Sequence, residues 1–218
     1  MVTEEYILKE FEIISTKYDK LQLPVRSDTG WIISGEFDVI DPNGYCWDTY
    51  GIKIILPAKY PYALPILIET SNKIEHHEDW HNNGICCLST DAVMYRELGL
   101  PVSLLKWLDR FVYDFLANHF IKKREKEYAK GEFSHGTKGI VEGYYEIFKL
   151  SDTETVFKKI KTLLDSTNLG RNDLCFCGSK IKFKKCYLKS PNTHTLHGVP
   201  ISVLSHDYQE IAKYLKGK

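Results

Sequence analysis

The sequence predicts an α+β protein: an antiparallel meander packed with helices, followed by a small cysteine-bearing knuckle. Three observations carry this expectation. Apolar side chains recur every three or four positions from Glu4 to Leu21, and the composition then turns strand-like from Trp31 to Glu69. Three of the six cysteines, Cys175, Cys177 and Cys186, crowd into one short segment of the tail.

Taken in order, Tyr6, Ile7, Phe11, Ile14, Tyr18 and Leu21 form one apolar face and predict a first helix over 4–21, closed by Pro24. Trp31–Ile40 and Asp48–Leu56 predict two strands, joined by the turn signal Asp41-Pro42-Asn43-Gly44. Pro57, Pro61 and Pro65 hold the next segment extended and irregular, and Pro65–Glu69 predicts a third strand. Short links between sequential strands make an antiparallel meander the economical topology. A polar loop from Ser71 to Gly84 leads to Ile85-Cys86-Cys87-Leu88. Ser103–Phe120 carries Leu104, Leu105, Leu108, Phe111, Val112, Phe115 and Leu116 on one face and predicts a long helix. Lys122–Lys130 reads as its solvated end, and Gly131–Gly139 as a glycine-punctuated loop. Further helices are predicted over Ile140–Leu150 and Ser151–Leu164.

Composition narrows the function. With 43% hydrophobic and 27% charged residues in 218, the chain is globular and not broadly disordered. Twenty-nine basic residues balance 29 acidic ones, which argues against a dedicated nucleic-acid binder. The balance is uneven along the chain: residues 152–190 hold nine Lys/Arg and four Asp/Glu, so residues 1–151 are acidic. No apolar stretch approaches the roughly 20 residues of a membrane span. The first residues are acidic where a signal peptide would be basic, so a cytoplasmic protein with reduced cysteines is expected. The expected organisation is a body at 1–150, a helical connector at 151–169, the knuckle at 170–190 and a C-terminal extension at 191–218.

The most specific string runs from Gly170 to Tyr187. A Cys175-Phe-Cys177 pair sets two thiols on one turn, Gly178-Ser179 lets the backbone fold around an ion, and Cys186 can close a sulfur-rich site. Lys180, Lys182, Lys184 and Lys185 favour ionised thiols. The segment closely resembles the SEC-C zinc motif in its leading Gly-Arg-Asn, its Cys-x-Cys-Gly-Ser core and its Lys-x-Phe-Lys-Lys-Cys ending. That resemblance implies a structural zinc ion and protein docking. The motif's fourth ligand position is Tyr187 here, which leaves His194 or His197 as substitutes.

In the body, the order of features is informative. A helix and a meander precede Pro57, Tyr60, Pro61, Leu64 and Pro65; His81-Asn82-Asn83 and then Gly84-Ile85-Cys86-Cys87-Leu88 follow. The series resembles the ubiquitin-conjugating (UBC) fold. Its implied nucleophile falls on Cys87, and His81-Asn82-Asn83 stands where those enzymes carry His-Pro-Asn, without the proline. Asn82 or Asn83 would take the family's oxyanion-stabilising or loop-positioning role. The later glycine-rich block, with His135, looks like that of bacterial UBC-like proteins encoded in anti-phage CBASS or ubiquitin-like operons.

That resemblance implies transthioesterification: Cys87 accepts an activated C-terminal carboxyl, from a ubiquitin-like protein or a CBASS nucleotidyltransferase, and passes it to an amine. An adenylating enzyme as partner, or a pre-activated donor, is then expected, since no glycine-rich nucleotide loop is present. His81 and His135 are candidates for proton handling, and Asp91 for orienting or deprotonating the incoming amine. Two other functions compete: a catalytically inactive UBC-like scaffold gripping partners through the same surface and the zinc tail, and a cysteine hydrolase of Cys87, His135 and Asp91. Cys86 is expected in the core, and His119 in a structural role.

Overall fold

The computed structural model describes residues 2–74, 80–81, 84–125, 134–165, 170–174, 180–185 and 198–217; for 80 and 81 it describes the backbone alone. The chain is α+β and divides into two compact units. One comprises Met1–Leu88 and Leu100–Glu132, the other Ser89–Gly99 and Phe133–Lys218.

The first unit opens with α1 (Glu4–Ser15). Thr3 caps it by accepting a hydrogen bond from the Tyr6 amide, and Glu4 and Glu5 complement the positive end of the helix dipole. Ile7, Phe11 and Ile14 are buried. The helix is shorter than its apolar spacing predicts. Tyr18 and Leu21 are buried as expected, but by a chain that leaves the helix and crosses the sheet. Leu21 bridges to Gly35, Gln22 donates to Ser34 O at 2.8 Å, and a Cβ at Gly35 would lie 2.4 Å from Lys20 O. Only glycine permits that approach, at a φ of +152°.

The sheet comprises β1 (Val25–Ser27), β2 (Gly30–Ile40), β3 (Cys46–Pro57), β4 (Ile66–Glu69), β5 (Trp80–His81) and β6 (Ile85–Cys86). Its order is β1-β2-β3-β4-β6-β5 with every pair antiparallel. The three predicted strands are therefore the centre of a longer sheet, which is a meander from β1 to β4 and departs from it where β6 rather than β5 pairs with β4. The three additional strands hold two or three residues each, too few for alternation to register. On one face Trp31, Ile33, Phe37 and Val39 pair with Leu56, Ile54, Tyr50 and Asp48, and of these eight only Asp48 is not buried. That period of two is what sets the core side of the sheet.

The proline segment packs as a plug. Tyr60 and Pro61 are buried, the Tyr60–Pro61 peptide is cis, and Val102 N donates to Pro61 O at 2.8 Å. The Tyr60 hydroxyl donates to Glu10 Oε2 at 2.8 Å, and the Leu104 amide donates to the same oxygen at 3.0 Å. Ser103 caps α3 (Leu104–Trp107), which runs through a π-helical turn (Leu108–Val112) into α4 (Tyr113–Glu125). Leu104, Trp107, Leu108, Phe111, Val112 and Leu116 are buried, as the predicted long helix requires. His119 is structural: its Nδ1 lies 2.9 Å from the Tyr50 hydroxyl.

The second unit is helical in its described residues: α2 (Asp91–Leu98), α5 (Gly136–Phe148), α6 (Thr153–Asp165) and α7 (Ile201–Lys216). Of these, α2 and α7 were not anticipated, and α5 begins inside the segment read as a loop. Two glycines explain that start. A Cβ at Gly139 would lie 1.8 Å from Ser134 O, and one at Gly143 would lie 2.7 Å from Thr90 Oγ1. Glycine, a poor helix former, is used here to let α5 approach its neighbours closely. Glu142 then accepts from both the Ser134 amide and hydroxyl at 2.9 Å. Phe157 of α6 stacks on Tyr208 of α7 with centroids 4.5 Å apart.

Replacing Glu10 with Ala leaves the buried Tyr60 hydroxyl and the Leu104 amide without an acceptor. The first unit should lose about 2 kcal/mol of unfolding free energy in urea titration, within the usual cost of stranding buried donors.

Candidate functional site

Cys87 follows β6 directly. That strand is fixed on both sides, with Ile85 opposite Ile68 of β4 and opposite His81 of β5, and Cys86 opposite Trp80. Gly84 introduces it at a φ of +79°, and its carbonyl accepts from the Glu69 amide at 3.4 Å. The two neighbouring thiols part where the chain leaves β6. Cys86 is 6% exposed and is a core residue, as expected, whereas Cys87 is half-buried and reaches the surface. Cys46 is exposed, with its sulfur 3.5 Å from Asp48 O.

The base of this strand pair is also fixed chemically. Glu69, at the end of β4, is buried, and its carboxylate accepts from the Ser71 amide at 2.8 Å, the Ser71 hydroxyl and the Lys73 amide at 3.3 Å. A buried carboxylate with that many donors is satisfied and rigid. Lys73 reaches across to Asp48 Oδ1 at 2.5 Å and Thr49 O at 2.7 Å.

The other residues singled out in the sequence are distributed as follows. Asn82 and Asn83 lie outside the described residues, and of His81 only the backbone is described, paired with Ile85. Asp91 and His135 belong to the second unit, Asp91 as the first residue of α2 and His135 as the N-cap of α5. Asp91 is exposed as a residue, yet its carboxyl is crowded enough that desolvation raises its pKa, with the charge of Asp207 raising it further.

Asp207 itself was not anticipated. It lies on the apolar stripe of α7 with Leu204 and Ile211, a pattern that reads as a helix face with an acid among the buried positions. The Tyr144 hydroxyl donates to Asp207 Oδ2 at 2.9 Å, and His206 Nδ1 is 3.2 Å from Oδ1.

Cys175, Cys177, Cys186, His194 and His197 lie outside the described residues. The segments flanking the cysteines are described and are held together by backbone hydrogen bonds. Leu174 bridges Lys182, Phe183 N donates to Asp173 O at 2.7 Å, and Lys184 N donates to Arg171 O at 2.9 Å. Asp173 Oδ2 accepts from Gly170 N at 2.6 Å. None of the described residues in this element is buried: Leu174 is 64% and Ile181 48% exposed. Three thiols at the motif's spacing are a donor set suited to zinc, which can stabilise a small element.

Residues 171–186 match the SEC-C motif. That motif is a possible zinc-binding element. Nothing among the curated proteins or the solved structures matches the chain. Among the described residues no group of three or more His, Cys, Asp or Glu could hold a metal, and no helix is long and apolar enough to cross a membrane.

The burial order predicts a labelling order. In the folded protein, iodoacetamide followed by peptide mass mapping should modify Cys46 and Cys87 while Cys86 stays protected until denaturant is added.

Proposed function

We propose that the chain is a ubiquitin-conjugating-like acyl carrier of UBC type, with Cys87 as the nucleophile and a zinc-stabilised SEC-C tail that docks a protein partner. The observation that carries this reading is the split between adjacent thiols: Cys86 is locked in the core, and Cys87 emerges at the end of a strand paired on both edges. The element order supports it, since one capped helix and an antiparallel meander precede the cysteine.

In the proposed cycle, the Cys87 thiolate attacks the acyl carbon of a C-terminal carboxyl held as a thioester on the adenylating enzyme. The new carbon–sulfur bond forms as the bond to that enzyme's sulfur breaks, and its thiolate leaves. An amine then attacks the thioester, an amide forms, and the thiolate leaves. The thioester conserves the activation of the acyl group, so no redox cofactor enters. Asn82 or Asn83 would donate to the oxyanion of each tetrahedral intermediate. His81 would take the proton of the amine. The donor is a ubiquitin-like protein or the C-terminus of a nucleotidyltransferase, loaded by a separate adenylating enzyme in the cytoplasm.

Cys175, Cys177 and Cys186 would hold the zinc ion, with His194 or His197 as the fourth ligand. Bound there, zinc supplies a structural cross-link. The protein should carry about one zinc per chain by elemental analysis, and Cys177→Ala should lose it, as expected of a sulfur-rich structural site.

Expression of Cys87→Lys in the native host turns a transient thioester into a stable amide. Intact mass should show a protein-sized adduct on Cys87→Lys and none on Cys86→Lys. No adduct on either variant contradicts a conjugating role and favours a scaffold that binds partners without chemistry.

A further inference from the structure

We propose that Asp207, with Tyr144, His206 and Asp91, forms a proton-operated latch that fastens the C-terminal helix α7 to α5 and α2. The inference lies wholly within the second unit and does not depend on the chemistry proposed for Cys87.

Asp207 is 5% exposed and, with Glu69, is one of two buried charged residues among those described. The two are served differently. Glu69 accepts hydrogen bonds from two backbone amides and a hydroxyl close by in its own chain segment. Asp207 depends on a different helix: its Oδ2 accepts from the Tyr144 hydroxyl of α5 at 2.9 Å, and its Oδ1 is 3.2 Å from Nδ1 of its neighbour His206. Around this contact α7 is otherwise held by apolar packing, with Leu204 and Ile211 buried and Tyr208 stacked on Phe157 of α6.

The charges facing Asp207 are adverse to its ionised form. From α2 comes Asp91, from α5 the neutral Tyr144, and from α7 itself His206 and Glu210, the last paired with Lys213 at 2.6 Å. Of these groups only His206 can neutralise the Asp207 carboxylate, and only while it is protonated. A buried carboxylate without a cation is costly.

The direction of the pH dependence follows. Burial raises the Asp207 carboxyl, partly offset by Tyr144 and His206, and desolvation together with Asp207 raises Asp91. A carboxyl raised in the docked state binds its proton more tightly there than when exposed. Its stabilisation is therefore complete below the ordinary carboxylate value and is lost as pH rises through the raised value. Acid fastens α7, and alkali loosens it, uncovering the faces of α5 and α6 beneath.

Hydrogen exchange of the full chain, read by mass spectrometry and corrected for intrinsic rates, tests this. As pH rises from about 4, the ordinary carboxylate value, to about 8.5, the protection of residues 201–216 should fall by about tenfold, the equivalent of one pKa unit, while β2 and β3 stay constant. Asp207→Asn retains an oxygen for the Tyr144 hydroxyl but cannot titrate, so its α7 protection should be flat over that range. Asp91→Asn, which leaves the Tyr144 contact intact, should raise α7 protection at the alkaline end. An unchanged α7 in the native chain, a fall shared with the sheet, a native-like slope in Asp207→Asn or no gain in Asp91→Asn would each overturn the latch.

Discussion

The Glu10 carboxylate holds the first unit together. One of its oxygens accepts from the Tyr60 hydroxyl and from the Leu104 amide, and so ties α1 to the proline segment and to the start of α3. These three pieces are far apart in sequence, and none packs through regular pairing with the others. Burial of Tyr60 beside a carboxylate raises its pKa, so the hydroxyl stays a donor across the working range of pH. The proline plug is thus fixed where β3 ends, and the chain that follows re-enters the sheet as β4. The pairing of β4 with β6 then presents Cys87 at the end of β6.

The sequence made the long strands of this sheet legible because period two is unmistakable in eleven- and twelve-residue elements. It also set Cys86 in the core, where small apolar thiols commonly lie, and the structure buries it. What it did not reveal was local chain reversal. The apolar spacing of residues 4–21 continues past the end of α1, because Tyr18 and Leu21 are buried by the crossing over Gly35. A helical reading and a crossing reading bury the same residues, and only the glycine distinguishes them. Short elements such as α2 were missed for a related reason: eight residues give two turns, too few for a face to declare itself. Helix α7 was passed over because its buried stripe contains Asp207 where an apolar residue is expected.

Cys87 and the SEC-C element differ in what holds them. Cys87 is positioned by strand pairing above a satisfied carboxylate, which needs nothing from outside the chain. The SEC-C element has backbone hydrogen bonds but no buried side chain among its described residues.

The central claim is that Cys87 carries an acyl group. The most direct measurement is the intact mass of the native chain, isolated from its own host under acidic, thiol-free conditions, before and after reduction. The account predicts a protein-sized adduct released by dithiothreitol, retained as a reductant-resistant oxyester on Cys87→Ser and absent from Cys87→Ala. An adduct that survives Cys87→Ala, or none on the native chain while an active adenylating enzyme is present, would contradict it.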